Sequence, residues 1–284
     1  MPELPEVETI RRGLLPVVRD RRIAGVARRP VALHGRPIPD LAPLLRARIT
    51  SLGRRGKYLL WRTADGGPVL VMHLGMSGRV LVTEDSDMCD PRRALAADRH
   101  VHLALALEGG GLIAFRDPRR FGQLALLSDE AAVSRHPALA ALGPEPLGAD
   151  FTADYLYRRL RTSRASVKAR LMDQSVVAGL GNIYVLEALH LTGIRPTRRA
   201  DRIGYQRCAR LVVGIRSVLE EAIAAGGSSL RDYRLADGSL GYFQHRFRVY
   251  GRENRPCARP DCDGTITKRA QAGRASYYCP VCQR

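Results

Sequence analysis

Four cysteines near the C-terminus carry the strongest chemical signal in the chain. Cys257-x4-Cys262 and Cys279-x2-Cys282 are spaced as two knuckles of a β-hairpin, an arrangement that offers four thiolates to one tetrahedral zinc ion. So short a segment lacks the apolar surface to fold alone, and metal binding would supply its folding energy. With four protein ligands and no open position, the expected cofactor is one structural Zn2+. Cys89 and Cys208 stand apart and read as a loop thiol and a helix-core thiol. In a cytosolic chain, clustering of the other four points to metal before disulfide.

A second possibility lies at the other end, in the opening MPELPEVET. Removal of Met1, which the small Pro2 permits, would leave a secondary amine with a pKa near 8, so part of it is a free nucleophile at neutral pH. Attack of such an amine on a sugar anomeric carbon yields an iminium directly, an electron sink that promotes elimination of the attached phosphates. Glu3 beside it could protonate the opening sugar oxygen or shuttle protons, with Glu6 one helical turn on. Taken alone the pair proves nothing, since most chains that begin Met-Pro make no use of the proline.

Two central stretches tilt the balance. MHLGMSGR (72–79) and DPRRFG (117–122) each end a strand in a glycine-framed turn. The first presents Met76; the second presents Arg119, Arg120 and Phe121. An apolar wedge beside arginine at a turn tip is what enters a base stack and fills a vacated position. Either turn alone reads as an ordinary hairpin; together, on so basic a chain, they point to DNA. His100-x-His102 places two rings on one face of a strand, where packing or a phosphate contact outweighs metal binding.

The elements that must hold these groups change character along the chain. Val7, Ile10, Leu14 and Val18 make one stripe of a leading helix over 3–18, with Pro5 suited to its first turn. From about 47 to 128, KYLLWRT, PVLVMHLG, GRVLVTE, HVHLALALE, GLIAFRDP and GQLALLS are short, apolar and separated by turns, which predicts a β-sandwich or barrel of neighbouring antiparallel strands. LGPEPLGADFT (142–152) breaks that texture and marks a domain boundary. Beyond it a helix through SVKARLMDQ, a tight GLGN and a helical IYVLEALHL form a natural phosphate clamp, because N–H groups at helix N-termini bind anions. A longer helix follows, with Leu211, Val212, Ile215, Val218, Leu219, Ala222 and Ile223 facing the core and Gly226-Gly227 ending it. Residues 228–247 read as a loop, and 248–284 as the cysteine module.

Composition narrows the partner. The net charge is +18 over 284 residues, an excess that calls for a polyanion. No apolar run approaches the length of a bilayer span and no signal segment leads the chain, so nucleic acid is favoured over a membrane. Only three of the 46 basic residues are lysines, Lys57, Lys168 and Lys268. Where either cation serves, arginine prevails here, so these three mark candidate sites for a compact ammonium.

PELPEVETIRRGL, RRGKYLL, HLGMSG, DPRRFG, LGPEPL, LMDQSVVAGLGNIY, ADGSLGYFQ, VYGR and the cysteine module follow one another as in bacterial formamidopyrimidine-DNA glycosylases, which the chain resembles over essentially its whole length. The resemblance implies an α+β protein in three parts: an N-terminal catalytic β-sandwich domain with a leading helix (1–141), a helix–two-turn–helix DNA-binding domain with a lesion-capping loop (142–247) and a zinc-finger β-hairpin (248–284). It implies excision of oxidised purines, chiefly 8-oxoguanine and formamidopyrimidines, followed by β,δ-elimination. Carried over by motif, Pro2 would be the nucleophile, Glu3 its proton-transfer partner and Lys57 a phosphate-contacting lysine that assists catalysis. Met76, Arg119 and Phe121 would fill the void left by the extruded base, with Arg119 facing the orphaned cytosine and Arg120 beside them at the DNA. His73, Lys168, Asn182 and Arg274 would grip phosphates, and residues 228–244 would close over the base. The partner is double-stranded DNA bearing an oxidised base; the protein is expected to be a cytoplasmic, nucleoid-associated monomer.

The chain departs from the family pattern in two places. The first knuckle is two residues longer than the usual Cys-x2-Cys, and bulky Val185-Leu186 follow GNIY where smaller residues are usual. PELPEV and DPRRFG favour purine lesions over the sister class that prefers oxidised pyrimidines. The intact Pro2–Glu3 pair speaks against a non-catalytic DNA-structure binder, and cations distributed for phosphate contact speak against a sequence-reading zinc-finger regulator.

Overall fold

The computed structural model of the chain describes residues 2–83, 89–228 and 241–284. Two compact units comprise Met1–Ala140 with Gly226–Tyr242, and Ala141–Ala225 with Phe243–Arg284. Among the described residues no helix is long and apolar enough to cross a membrane.

In the first unit, helix α1 (Leu4–Val18) starts directly after Glu3. Pro5 sits in its first turn, where a missing N–H costs nothing, and the predicted stripe of Val7, Ile10, Leu14 and Val18 is wholly buried. The strands are β1 (Ile23–Arg28), the short pair β2 (Ala32–Leu33) and β3 (Arg36–Pro37), β4 (Ile49–Arg55), β5 (Tyr58–Thr63), β6 (Val69–His73) and β7 (Arg79–Thr83). After helix α2 (Pro91–Ala97) come β8 (Val101–Leu107), β9 (Leu112–Arg116) and β10 (Gln123–Leu127), then the short helices α3 (Glu130–Arg135) and α4 (Pro137–Ala140).

Two four-stranded antiparallel sheets result, ordered β1-β8-β9-β7 and β10-β6-β5-β4. One core joins their inner faces to α1: Leu103, Leu105, Ile113 and Phe115 from one sheet, Leu52, Leu59, Trp61, Leu70 and Met72 from the other. This is the predicted sandwich. The outer face of the first sheet is not left to solvent. Its small residues Ala104, Ala106 and Ala114 lie in a second cluster with Ala94 of α2, so β8 is buried along its whole length. That two-sided burial is why HVHLALALE reads as a continuous apolar run instead of an alternating one.

In the second unit, α5 (Ala153–Arg161) and α6 (Val167–Met172) precede α7 (Asn182–Leu191) and α8 (Tyr205–Ala224). Helix α7 is the hub, buried all round from Ile183 through His190, with Glu187 and His190 as buried polar residues among apolar ones. Helix α8 comes close enough that a Cβ on Gly214 would lie 2.6 Å from the Thr192 methyl. The connection from α6 to α7 is stitched by Gln174, whose amide donates to the carbonyls of Met172 and Leu180 and accepts from Gly179 N–H. The hairpin β11 (Thr267–Gln271) and β12 (Arg274–Tyr278) turns through Ala272 and Gly273, both left-handed, as a tight two-residue hairpin requires.

Candidate functional site

Within the first unit the opening peptide is interior, with Pro2 and Glu3 both buried. Glu3 caps α1, and its N–H donates to Glu6 Oε2 at 2.8 Å. The other oxygen of Glu6 accepts from Ser228 N–H (2.8 Å) and Ser228 Oγ (2.9 Å). Glu6 is therefore a strut from the chain's start to residue 228, where the described part of that loop ends. Gly227 (φ +77°) packs against it, with room for no side chain. The capping segment expected over 228–244 lies largely outside the described residues.

Glu8, two residues on, gathers guanidiniums. It accepts from Arg11 (2.8 and 3.0 Å), Arg12 (2.9 Å) and Arg54 (3.2 Å). Burial alone would raise its pKa; the hydrogen bonds of Arg11 and Arg12 and the charges of Arg11 and Arg54 overcome this and hold it at about 2. Because Arg54 lies near the end of β4, the cluster ties α1 to the β4–β5 hairpin. Lys57 is in that hairpin's two-residue turn and is only 7% exposed. His73 ends β6 beside Tyr58, their rings 4.8 Å apart, and its Nδ1 accepts from Gly75 N–H. Burial, then the charges of Lys57 and His34, push its pKa down to about 4, so it is a neutral donor at physiological pH.

The two turns carrying the predicted wedge are one assembly. Asp117, fully buried, accepts from Ser77 Oγ at 2.6 Å and from Gly122 N–H at 2.7 Å, while Ser77 Oγ accepts from Arg119 N–H. Gly75 (φ +63°) lies so near the other turn that a Cβ would be 2.3 Å from the Phe121 carbonyl carbon. What this locked base presents is exposed: Met76 at 37%, Phe121 at 38%, with Arg119 and Arg120 beside them. The Arg119 guanidinium lies 5.1 Å from the Phe121 ring centre, close enough for cation–π attraction. From the β2–β3 turn, His34 donates its N–H to the Arg120 carbonyl. Large apolar side chains held outward on a rigid base signal a partner.

His102, by contrast, is buried, with Nε2 2.8 Å from the Asp117 carbonyl oxygen, and His100 lies just before β8. Among the described residues the cysteines are the single cluster able to hold a metal. His102 is a packing residue, and His100 is half-buried with its backbone N–H donating to Asp98.

In the second unit three predicted residues converge. Lys168 Nζ donates to Ser276 Oγ (2.7 Å) and to the Ala275 carbonyl (3.2 Å), and Asn182 Nδ2 donates to the same carbonyl (3.0 Å). Arg274, next in the chain, is exposed at the start of β12. Lys168 is 2% exposed, and burial together with the Arg274 charge pushes its pKa down to about 8. Among the described residues its hydrogen-bond partners are neutral, so a buried ammonium stands beside a guanidinium with no ion pair of its own to a carboxylate. That is the electrostatic condition for binding an anion.

The cysteines sit as a zinc ion needs them. All four sulfurs lie within 4.8 Å of one another, with Cys257–Cys282 at 3.7 Å and Cys262–Cys279 at 3.6 Å. A tetrahedron with Zn–S bonds near 2.3 Å has sulfur–sulfur edges of about 3.8 Å. Leu186, one of the unusual pair after GNIY, packs with Val249, Ile266 and Cys279 beneath this site, and Val185 is equally buried. Glu187 braces the approach, accepting from the N–H groups of Arg248, Val249 and Tyr250. His190 is buried with Nε2 3.3 Å from Cys257 Sγ; burial, then Arg259, Arg248 and Arg252, hold its pKa near 4. Cys208 is a core thiol of α8, as expected.

Sequence reasoning passed over Asp117, Ser77 and Glu8. Asp117 opens the DPRRFG motif itself, and its position at a strand end before a turn was the available signal.

The comparisons agree in kind. Residues 1–124 match the family described as the formamidopyrimidine-DNA glycosylase N-terminal domain, and residues 142–234 its H2TH domain. A formamidopyrimidine-DNA glycosylase of Cereibacter sphaeroides is 52% identical over 287 residues, covering all of both chains. The crystal structure of the MutM (Fpg) protein of Thermus thermophilus is 40% identical with a TM-score of 0.86, covering 99% of this chain and 98% of that one. A Lactococcus lactis FPG mutant bound to Fapy-dG-containing DNA is 33% identical with a TM-score of 0.87, covering both chains completely.

Proposed function

We propose, for a chain that belongs to the formamidopyrimidine-DNA glycosylase family, that it excises oxidised purines from duplex DNA and cleaves the resulting abasic site. The observation that carries this reading is the locked pair of turns holding Met76, Arg119 and Phe121 outward in the same unit as the Pro2–Glu3 peptide. An apolar wedge alone also suits a protein that kinks intact duplex; its pairing in one unit with a buried N-terminal proline, which as a nucleophile needs an extruded sugar, is what favours excision.

The steps follow from the residues. Arginines and lysines bring in the duplex with release of counterions. Met76, Arg119 and Phe121 occupy the stack as the damaged nucleotide leaves it, at a cost of a few kcal/mol. Lys57 and His73 in one unit, and Lys168, Asn182 and Arg274 in the other, hold phosphates; Arg120 lies beside the wedge. With Met1 removed, the Pro2 nitrogen attacks C1′, the C1′–N bond breaks with its electron pair leaving on the base, and the base takes up the proton that the Pro2 nitrogen gives up. Glu3 protonates the sugar ring oxygen, giving an open-chain iminium. Loss of a C2′ proton then expels the 3′ phosphate and a second elimination expels the 5′ phosphate. Zinc on Cys257, Cys262, Cys279 and Cys282 supplies only the folding of the hairpin that carries Arg274.

The organisation proposed is catalytic (1–141), helix–two-turn–helix (142–247) and zinc-finger (248–284), acting as a monomer on cytoplasmic DNA. All the groups invoked come from one chain, which supports the monomer.

The test is borohydride trapping on a duplex with 8-oxoguanine opposite cytosine. A covalent protein–DNA band is expected from Met1-processed protein, and none after N-acetylation. A band only with oxidised pyrimidines would move the chain to the sister class. Tight binding without a band on any lesion would leave a non-catalytic binder.

A further inference from the structure

The longer first knuckle raises a question that the zinc chemistry alone does not answer: what the two additional residues in CARPDC do. Arg259 lies within that stretch, and its Nη2 donates to the carbonyls of His190 and Leu191, at 3.1 Å each. These are carbonyls in the last turn of α7, where a cation is favoured; the His190 carbonyl also accepts from Gly193 N–H. The knuckle is thus anchored on the end of α7 through Arg259. At the same place the His190 side chain meets the knuckle's first cysteine, Nε2 to Sγ at 3.3 Å.

Which atom donates follows from the metal. A zinc-bound thiolate carries no proton and can only accept, so the hydrogen belongs to Nε2. The other nitrogen, Nδ1, is buried without a hydrogen-bond partner among the described residues. A ring with its one hydrogen on Nε2 leaves there a bare acceptor, where the opposite tautomer would strand a donor and set two acceptors against each other. Four thiolates around Zn2+ leave a net charge of about −2 on the centre, which an N–H aimed at one sulfur offsets.

We propose that His190 donates its Nε2 hydrogen to the zinc-bound thiolate of Cys257 and, with Arg259, fixes the extended knuckle on the end of helix α7, so that zinc retention depends on this histidine. His190 is a positioning residue in this scheme and touches neither DNA nor metal. Loss of such a supporting hydrogen bond characteristically weakens metal binding about 10- to 100-fold.

The experiment uses the full chain loaded with zinc and a chromophoric chelator in competition. His190→Phe keeps an aromatic ring without the donor; His190→Gln keeps an N–H on a different frame. We expect zinc affinity to fall at least tenfold in H190F and to be largely restored in H190Q. Equal affinity in wild type and H190F would overturn the proposal. H190Q as weak as H190F would do so too, because the ring would then matter for packing alone. Should H190F fail to fold, the 113Cd-loaded wild type decides the matter. A scalar coupling between the metal and the His190 ring N–H supports the hydrogen bond, and its absence refutes it.

Discussion

Replacing Glu8 by glutamine tests the electrostatic logic of the first unit. The wild-type carboxylate is surrounded by Arg11, Arg12 and Arg54, and its pKa falls from 4.5 to about 2. At 1.36 kcal/mol per pKa unit, that depression corresponds to about 3 kcal/mol of stability at neutral pH. Glutamine can still accept one hydrogen bond, and Arg12 is largely exposed, so the expected loss is about 1–3 kcal/mol. The sign in pH is fixed by the direction of the shift. A depressed acid contributes fully above its unfolded value near 4.5, and the contribution fades as pH falls from there toward 2. Glu8→Gln should therefore lie below wild type at pH 7, with the gap narrowing as pH falls below 4.5 and closing only near pH 2. Trp61, the only tryptophan in the chain, is buried in that unit's core, so its fluorescence during urea unfolding reports on this unit. The zinc ligands titrate alike in both proteins and cancel from the difference. A gap that persists unchanged at pH 3, or no gap at pH 7, would refute the reasoning.

Three further outcomes are expected. DNA affinity at constant ionic strength should decline as pH rises through about 8, where Lys168 loses its proton, and Lys168→Arg should flatten that decline in an anisotropy titration. Phe121→Ala should shift the urea midpoint little because the ring is exposed. It should nevertheless slow base excision at least tenfold, while sparing binding to a duplex that already contains an abasic gap. Chelation of zinc should abolish tight DNA binding, and equimolar Zn2+ should restore it, as read by gel shift.

Much of this was legible in the sequence because local patterns and burial agreed. The α1 stripe, the strands from KYLLWRT to GQLALLS and the cysteine spacing each carry their own periodicity or geometry. Helix α2 was not legible: PRRALAA is too short for a clear stripe, and what makes it a helix is an Asp90 cap and the alanine-rich sheet face it covers. β1 escaped because Gly25 and its exposed neighbours blur the alternation. Among functional groups, Met76 and Phe121 announced themselves as apolar residues at turn tips. Asp117 did not, since its role depends on Ser77, forty residues away. Nor did His190, which looks like one more core residue until the cysteine opposite it is placed.

The joint built by Gly75, Ser77 and Asp117 also sets how this protein can change. Neither turn can be exchanged alone, because Ser77 of one donates to Asp117 and accepts from Arg119 N–H of the other, and Gly75 admits the partner's backbone at a distance no side chain tolerates. Transplanting the wedge to another scaffold, or grafting in one shaped for a different opposite base, has to move 72–79 and 117–122 together as a cassette. Lineages that drift in one loop should carry a matching replacement in the other.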